Sequence, residues 1–269
     1  MVQRIEQVRV WRADGAGLCM HGITNTYAVD PVGEHVVGLV LAGGMEVRRG
    51  RERHRFGPGD LCAWDPSAPH KGRPYRSERW EARLIVLEPP ALEDIEFARP
   101  RVRDQRLARR FLALHTALEQ RPWALATETL LAEWLRDLAG PPAEPLTRRR
   151  RARRDPALRR ACELLQDDLA RNVTLAELAA AAGVSRHRLT RLFRAAYGLP
   201  PHRFQLAQRI RTARHMLEHG LAVAEVAQAT GFFDQSHLHR HFARTVGMTP
   251  RRYAEALRSH VQDAPPTAA

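Results

Sequence analysis

Two stretches of the C-terminal part decide the fold: LAELAAAAGVSRHRLTRLFRAAYGLPP, Leu175 to Pro201, and VAEVAQATGFFDQSHLHRHFARTVGMTP, Val223 to Pro250. Set one above the other, they match at fixed positions. Glu177 falls on Glu225, Ala179 on Ala227 and Gly183 on Gly231. After one extra residue in the second copy's turn, Leu189 meets Leu238, Arg191 meets Arg240 and Phe193 meets Phe242. Gly198 then meets Gly247, and Pro201 meets Pro250. Each copy carries the parts of a helix-turn-helix. Thr174 can cap a short helix whose Leu175, Leu178 and Ala179 face inward. Small side chains at Ala179 and Ala227 let a second helix cross closely. Gly183 and Gly231 stand where the first helix ends and a left-handed backbone costs glycine little. Ser185 and Asp234 are good N-caps for the helix that follows.

On that second helix Leu189 and Phe193, or Leu238 and Phe242, are four apart and point into a core. The positions between them then face outward: Arg186, His187, Thr190 and Arg191 in the first copy, Gln235, Ser236, His239 and Arg240 in the second. Arg and Gln make bidentate contacts with guanine and adenine edges, so these eight are candidate base-contact residues. Between the copies, PHRFQLAQRIRTARHMLEHG predicts a helix from about Pro201 to His219. At about 1.5 Å per residue it forms a rod of roughly 28 Å. That is near the ~34 Å repeat of DNA and suits two recognition helices in successive major-groove segments.

Charge points the same way. Residues 148–269 hold 22 arginines against 10 carboxylates, a net +12, whereas residues 1–147 hold 21 basic and 20 acidic side chains, a net +1. A basic C-terminal domain beside a neutral N-terminal one suggests a polyanionic partner for the former. With 269 residues and 44% hydrophobic composition the chain suits one large or two ordinary globular domains. No run approaches the roughly 18 apolar residues of a membrane span. The start, MVQRIEQVRVWRADG, has no signal-peptide core, so the cytoplasm is the expected location. Cys19, Cys62 and Cys162 are odd in number and widely spaced, which favours ordinary thiols over a disulfide framework or a cysteine zinc site. No cofactor is expected, and no G-x-x-x-x-G-K-[ST] loop points to phosphate hydrolysis.

The segment GPPAEPLTRRRRARRDP, Gly140 to Pro156, reads as an interdomain linker whose arginines either touch DNA phosphates or are simply solvated. Before it, short apolar or alternating runs between about Val36 and Leu87 suggest the strands of a β-sandwich or barrel. Gly43-Gly44 suggests a hairpin, and Gly57-Pro58-Gly59-Asp60 a second turn. From Asp104 to Leu138 the period is helical, with Leu107, Phe111, Leu114 and Leu118, then Leu130, Leu131, Trp134 and Leu138. Pro122 is expected to start the second of two antiparallel helices, which pack either on the strands or on a second subunit. The expected architecture is therefore two domains. Residues 1–139 form a β-barrel (about 1–100) followed by a helical pair (about 104–138). Residues 140–156 link, and 157–262 form an all-α domain with two helix-turn-helix units joined by a long helix.

The segment from about Ala157 to Leu257 resembles the DNA-binding domain of the AraC/XylS family of bacterial regulators. The residues that carry the resemblance are Ala179–Ser185, Arg191–Phe193 and the run GFFDQSHLHRHFARTVGMTPRRY from Gly231 to Tyr253. It implies base contacts by the two recognition helices and phosphate contacts that include Arg194, Arg244 and Arg251. More weakly, GLVLAGGMEVR at Gly38–Arg48 and FGPGDLCAWDPSAPH at Phe56–His70 resemble the cupin-type effector domain of such regulators, which implies that the 104–138 helices mediate dimerisation.

Trp64, His70, Trp80 and Arg83 are candidate lining for an effector pocket, with plain core as the alternative for both tryptophans. Residues 1–147 contain no H-x-H pair, which departs from metal-dependent cupins; His21, His35, His54, His70 and Glu81 would have to converge in space to hold a metal. His237 and His241 have the spacing of a zinc pair, although surface or DNA-facing histidines explain them more simply. The function this implies is a transcription regulator that is not an enzyme. Its candidate partners are promoter or operator DNA, RNA polymerase, a small-molecule effector and a second copy of the chain. A cupin enzyme fused to a DNA-binding module, or an effector-independent DNA binder, are the alternatives.

Overall fold

The computed structural model describes residues 7–13, 17–24, 27–29, 34–49, 52–64, 70–87, 97, 99–120, 125–140 and 148–262. The N-terminal half is built from two antiparallel sheets. Strands β1 (Gln7–Ala13), β2 (Gly17–Thr24), β9 (Trp80–Leu87), β4 (His35–Gly43), β7 (Leu61–Trp64) and β10 (Arg101–Val102) form the larger sheet, in that order. Strands β3 (Tyr27–Val29), β8 (His70–Pro74), β5 (Met45–Arg49) and β6 (Glu52–Phe56) form the smaller one. The barrel is thus open, two facing sheets rather than one closed wall. Period-two alternation sorts the strand residues. On β9, Trp80, Ala82 and Val86 join Met45, Val47, Phe56 and Trp64 between the sheets, while Ile85 and Leu87 face outward.

The Gly43-Gly44 pair is not a hairpin, which corrects the expectation from sequence. β4 pairs with β7 and β9, whereas β5 pairs with β6 and β8, so the chain crosses from one sheet to the other at these glycines. The crossing runs tight under the chain around Tyr75–Arg79. A Cβ on Gly44 would sit 2.2 Å from the Tyr75 carbonyl oxygen, and one on Gly43 2.4 Å from that of Arg79. The turn at Gly57–Asp60 does form, closed by the Gly57 amide donating to the Asp60 carboxylate at 2.8 Å.

Helices α1 (Gln105–Gln120) and α2 (Leu125–Ala139) cover the outer face of the larger sheet. Phe111, Leu114, Leu118, Leu131, Trp134 and Leu138 enter one core with Trp11, Val37, Leu39 and Ile85. Of the two packing options the chain takes its own sheet. Leu130, on the expected apolar stripe, is instead exposed. The indole N–H groups, which would be costly to bury unpaired, donate to carbonyls: Trp134 to Leu107 at 2.9 Å and Trp11 to Leu118 at 3.1 Å. Pro122 lies outside the described residues. Burial pushes the thiols of Cys19 and Cys62 up to about 12, as expected of inert core residues.

The C-terminal half is helical: α3 (Arg148–Arg153), α4 (Pro156–Asp167), α5 (Leu175–Ala182), α6 (Arg186–Tyr197), α7 (Pro201–Glu218), α8 (Val223–Ala229), α9 (Gln235–Val246) and α10 (Pro250–Gln262). Part of the stretch read as linker is therefore ordered: α3 packs on α6, with Ala152 buried and the Arg153 guanidinium 5.8 Å over the Tyr197 ring. The first helix-turn-helix has its own core of Leu178, Ala182, Leu189, Phe193, Phe204 and Ala207. The second shares an apolar cluster with the space between the sheets. Helix α10 lies along the edge strand β1, which covers an otherwise open sheet edge. A buried polar seam fastens this contact. The Arg214 guanidinium donates to both Glu34 carboxylate oxygens at 2.9 Å, across 180 residues of chain. Beside it, Arg12 on β1 donates to Glu218 at 2.8 Å, and the Tyr253 hydroxyl donates to the same carboxylate at 2.6 Å.

Candidate nucleic-acid interface

Both recognition helices start and stop where the local chemistry directs. Ser185 caps α6 by accepting from the Arg188 amide at 3.2 Å, and Asp234 caps α9 by accepting from the His237 amide at 2.6 Å. Gly198 and Gly247 end them in left-handed conformation, with φ of 69° and 84°. The helices that precede them are held alike. Thr174 and Glu177 form a reciprocal capping box on α5. Glu225, the repeat partner of Glu177, accepts from the Ala222 amide at 3.2 Å on α8. The repeated glutamate is therefore a cap, a role its alignment alone did not specify.

On α6, Leu189, Phe193 and Ala196 are buried, and on α9, Leu238, Phe242 and Ala243. The opposite faces carry the expected residues. Arg186, His187 and Arg191 are exposed on α6, and Thr190 is half-buried with its hydroxyl donating to the Arg186 carbonyl at 2.9 Å. Gln235, Ser236, His239 and Arg240 are all exposed on α9. Arg194 and Arg244, the expected phosphate contacts one turn further on, are exposed too. None of Arg186, Arg191, Arg194, Arg240 and Arg244 forms an ion pair among the described residues. Arg251, on α10, is exposed but pairs with Glu255 at 2.8 Å, which raises its pKa. Elsewhere arginines such as Arg83, Arg171 and Arg214 meet carboxylates, whereas these five leave an exposed cationic surface along both recognition helices.

Helix α7 holds the two units in register. It ends at Glu218, one residue short of the expected His219, and at about 1.5 Å per residue its 18 residues span roughly 27 Å. Its buried Arg209 donates to the carbonyls of Leu169, Ala170 and Arg171, to the Asn172 side chain, and to the carbonyl of Gly231 in the second turn. One guanidinium thus bridges the loop before α5 to the turn before α9. Sequence reading passed over Arg209 because an arginine inside a basic helix looks like surface. The Glu34–Arg214 pair was invisible for a different reason, since no local pattern relates residues so far apart.

His237 and His241 pack edge-on with ring centroids 4.7 Å apart, and the Phe232 ring closes on both. The Phe233 amide donates to His237 Nδ1 at 3.3 Å. Burial, and then the charges of His237 and nearby arginines, hold the His241 pKa below the ordinary value. Among the described residues, no three His, Cys, Asp or Glu side chains gather as metal ligands.

Of the expected effector-pocket residues, Trp64 and Trp80 share the inter-sheet space and Arg83 does not. Trp64 and Trp80 are buried between the sheets, Trp64 in edge contact with Phe56 and His54. Arg83 points the other way, to α1, where it donates to Glu119 at 2.8 Å and to His115 Nδ1 at 3.0 Å. The His70 side chain lies outside the described residues. The His21 ring meets Glu81 at 2.9 Å on that outer face, away from His54 and the inter-sheet space. A cleft of about 490 Å³ opens instead beside β6 and β10, lined by Arg53, His54, Arg55, Pro100 and Arg101.

Comparison with known proteins agrees with this division of labour. Residues 21–135 match the family described as AraC-like ligand binding domain, and residues 178–256 match a helix-turn-helix domain family. The HTH-type transcriptional regulator YbfI of Bacillus subtilis is 26% identical over 215 residues, covering 76% of this chain and 78% of that protein. The regulatory protein ada of Salmonella typhimurium is 36% identical over 110 residues, 41% of this chain but only 31% of its own length. Among solved structures, ToxT of Vibrio cholerae superposes with a TM-score of 0.62 over 93% of this chain and 97% of its own, at 12% identity, so the likeness is one of fold. Two sheets with a helical pair, followed by tandem helix-turn-helix units on a shared strut, place this chain in the AraC family of transcription regulators.

Proposed function

We propose that the chain reads specific duplex sites through α6 and α9 and controls transcription from them. The observation that carries this is the pair of exposed, cationic and unpaired helix faces mounted on one strut, α7. Base edges would be read by Arg186, His187, Thr190 and Arg191 in one half-site and by Gln235, Ser236, His239 and Arg240 in the other, with Arg194, Arg244 and Arg251 on phosphates. Such a regulator works without catalysis, in the cytoplasm, with RNA polymerase as its downstream partner. No helix among the described residues is long and apolar enough to cross a membrane.

The N-terminal domain takes a small-molecule effector in this reading, supported by its ligand-binding-domain match. Arg53 and Arg101 in the cleft favour an anionic one, while Arg55 there already pairs with Glu46 at 3.1 Å. ToxT has been solved with an unsaturated fatty acid bound, an acid of that kind. Leu112 and Leu130 are exposed on α1 and α2, where contact with a second copy would cover them.

The test is binding to duplexes selected from a random pool. Arg240→Ala should cost about 1–3 kcal/mol on the selected site and relax preference at one position. Arg244→Ala should weaken binding on all duplexes alike and lower the slope of log K against log salt by about 1. Equal losses on selected and random DNA for both variants would refute base reading by α9.

A further inference from the structure

The two turns differ by one residue, and the structure identifies it. The first runs Gly183-Val184-Ser185 and the second Gly231-Phe232-Phe233-Asp234, with Ser185 and Asp234 as equivalent caps. Val184 is half-buried and Phe232 buried, so these two fill the same place in their units. Phe233 is the addition, and its side chain is 93% exposed. The next most exposed large apolar residue among those described is Leu130, at 49%. Phe233 immediately precedes the cap of α9 and lies two residues before Gln235, at the helix end that approaches base edges in a helix-turn-helix. Its amide is tied to His237, which anchors the turn and leaves the ring in solvent.

We propose that Phe233 is a specificity-determining residue of the second half-site, its ring packing on the 5-methyl group of a thymine. This rests on the DNA-reading function above. A phenyl ring has neither donor nor acceptor, so it gains nothing at the polar edges of guanine, adenine or cytosine. The thymine methyl is the one apolar group that the major groove presents. The surrounding surface, with Arg240 and Arg244 exposed and unpaired, favours the same polyanionic partner. Because the first turn lacks the residue, the preference is confined to one half-site, which makes a tandem reader directional.

The experiment uses the full chain and its selected duplex, with each thymine of the second half-site replaced in turn by deoxyuridine, which deletes only the methyl. One such replacement should weaken the wild-type chain about four-fold, the worth of one buried methyl group, and leave Phe233→Ala unaffected. Phe233→Ala should itself lose at least that factor, and Phe233→Leu should keep most of the affinity. Thermal midpoints should not move, since the ring packs on nothing in the free chain. Unchanged affinity of Phe233→Ala overturns the proposal and assigns the ring to another partner. A loss that is equal on thymine, deoxyuridine and random duplexes also overturns it, because the contact is then with the sugar-phosphate backbone. If the wild-type chain prefers no duplex at all, the DNA-reading function fails and this proposal with it.

Discussion

The buried pair between Glu34 and Arg214 joins the sheet half of the molecule to α7, and its removal should be felt between the halves. Both side chains are almost fully buried, and both carboxylate oxygens are engaged at 2.9 Å. Arg214→Met leaves Glu34 as an uncompensated buried charge, and Glu34→Gln leaves the guanidinium without its anion. Breaking a buried pair from one side costs about 3–5 kcal/mol. At 1.4 kcal/mol per decade, that multiplies the population with the halves undocked by between about a hundred and a few thousand. The pair itself is worth far less, because taking both charges out of water offsets most of their attraction. Glu34→Leu combined with Arg214→Met should therefore recover most of the loss. Hydrogen exchange along β1 and α10 and urea unfolding followed by Trp fluorescence should both report it. The single variants should unfold in two separated transitions and the double variant in one. A wild-type urea profile for Arg214→Met would refute the reasoning, as would a double variant no more stable than the worse single one.

Other substitutions separate steric from conformational causes. Gly183 and Gly231 occupy equivalent places with φ of 68° and 73°, so alanine at either should cost about 1–2 kcal/mol in backbone strain. A Cβ on Gly183 meets only a side-chain nitrogen at 3.6 Å, but one on Gly231 would stand 2.4 Å from the Ala170 carbonyl oxygen. Gly231→Ala should thus destabilise clearly more than Gly183→Ala in urea titrations, and equal losses would contradict the tight approach. His115 is fully buried, accepts from Arg83 at Nδ1, and has Nε2 3.1 Å from the Met20 carbonyl oxygen, which fixes the neutral Nε2–H form. Desolvation, then the Arg83 charge, lowers its pKa to about 4. Well above pH 6.5 it is neutral whether folded or not and adds no pH dependence. Below that, the unfolded chain gains a proton that the folded one refuses, so stability should fall by on the order of 3 kcal/mol between pH 6.5 and 4. His115→Gln, which can donate and accept in the same place, should lose that component; an unchanged pH profile would count against it.

The C-terminal half was legible because its signals are local. Caps at Thr174, Ser185 and Asp234 and turn glycines at Gly183 and Gly231 act within a few residues, and two copies reinforced each other. The N-terminal half was legible only as strands. Glycines that cross between sheets look like glycines in a hairpin, since both need a chain reversal and differ only in which strand lies alongside. Arg83 falls outside the expected pocket for a related reason: it and Trp80 are three apart on β9, and an odd spacing on a strand puts side chains on opposite faces. Buried arginines were missed because composition counts them as surface charge. Arg209 and Arg214 are instead cross-ties, recognisable only when the carbonyls or carboxylate that receive them are in view.

Helix α7 gives Phe204 and Ala207 to the core of the first unit, but Ile210, Ala213 and Leu217 to the cluster that continues between the sheets. The seam in this molecule therefore falls within a helix rather than in the proline-rich stretch before α3. Anyone building a chimeric sensor would cut that stretch as the obvious joint. The graft would then carry α10, Arg214 and Glu218 onto a foreign sheet that has no carboxylate at the place of Glu34 and no edge strand shaped for α10. A workable exchange of input modules must transplant the receiving strand edge along with the ligand site, so the interchangeable part is larger than the domain boundary suggests.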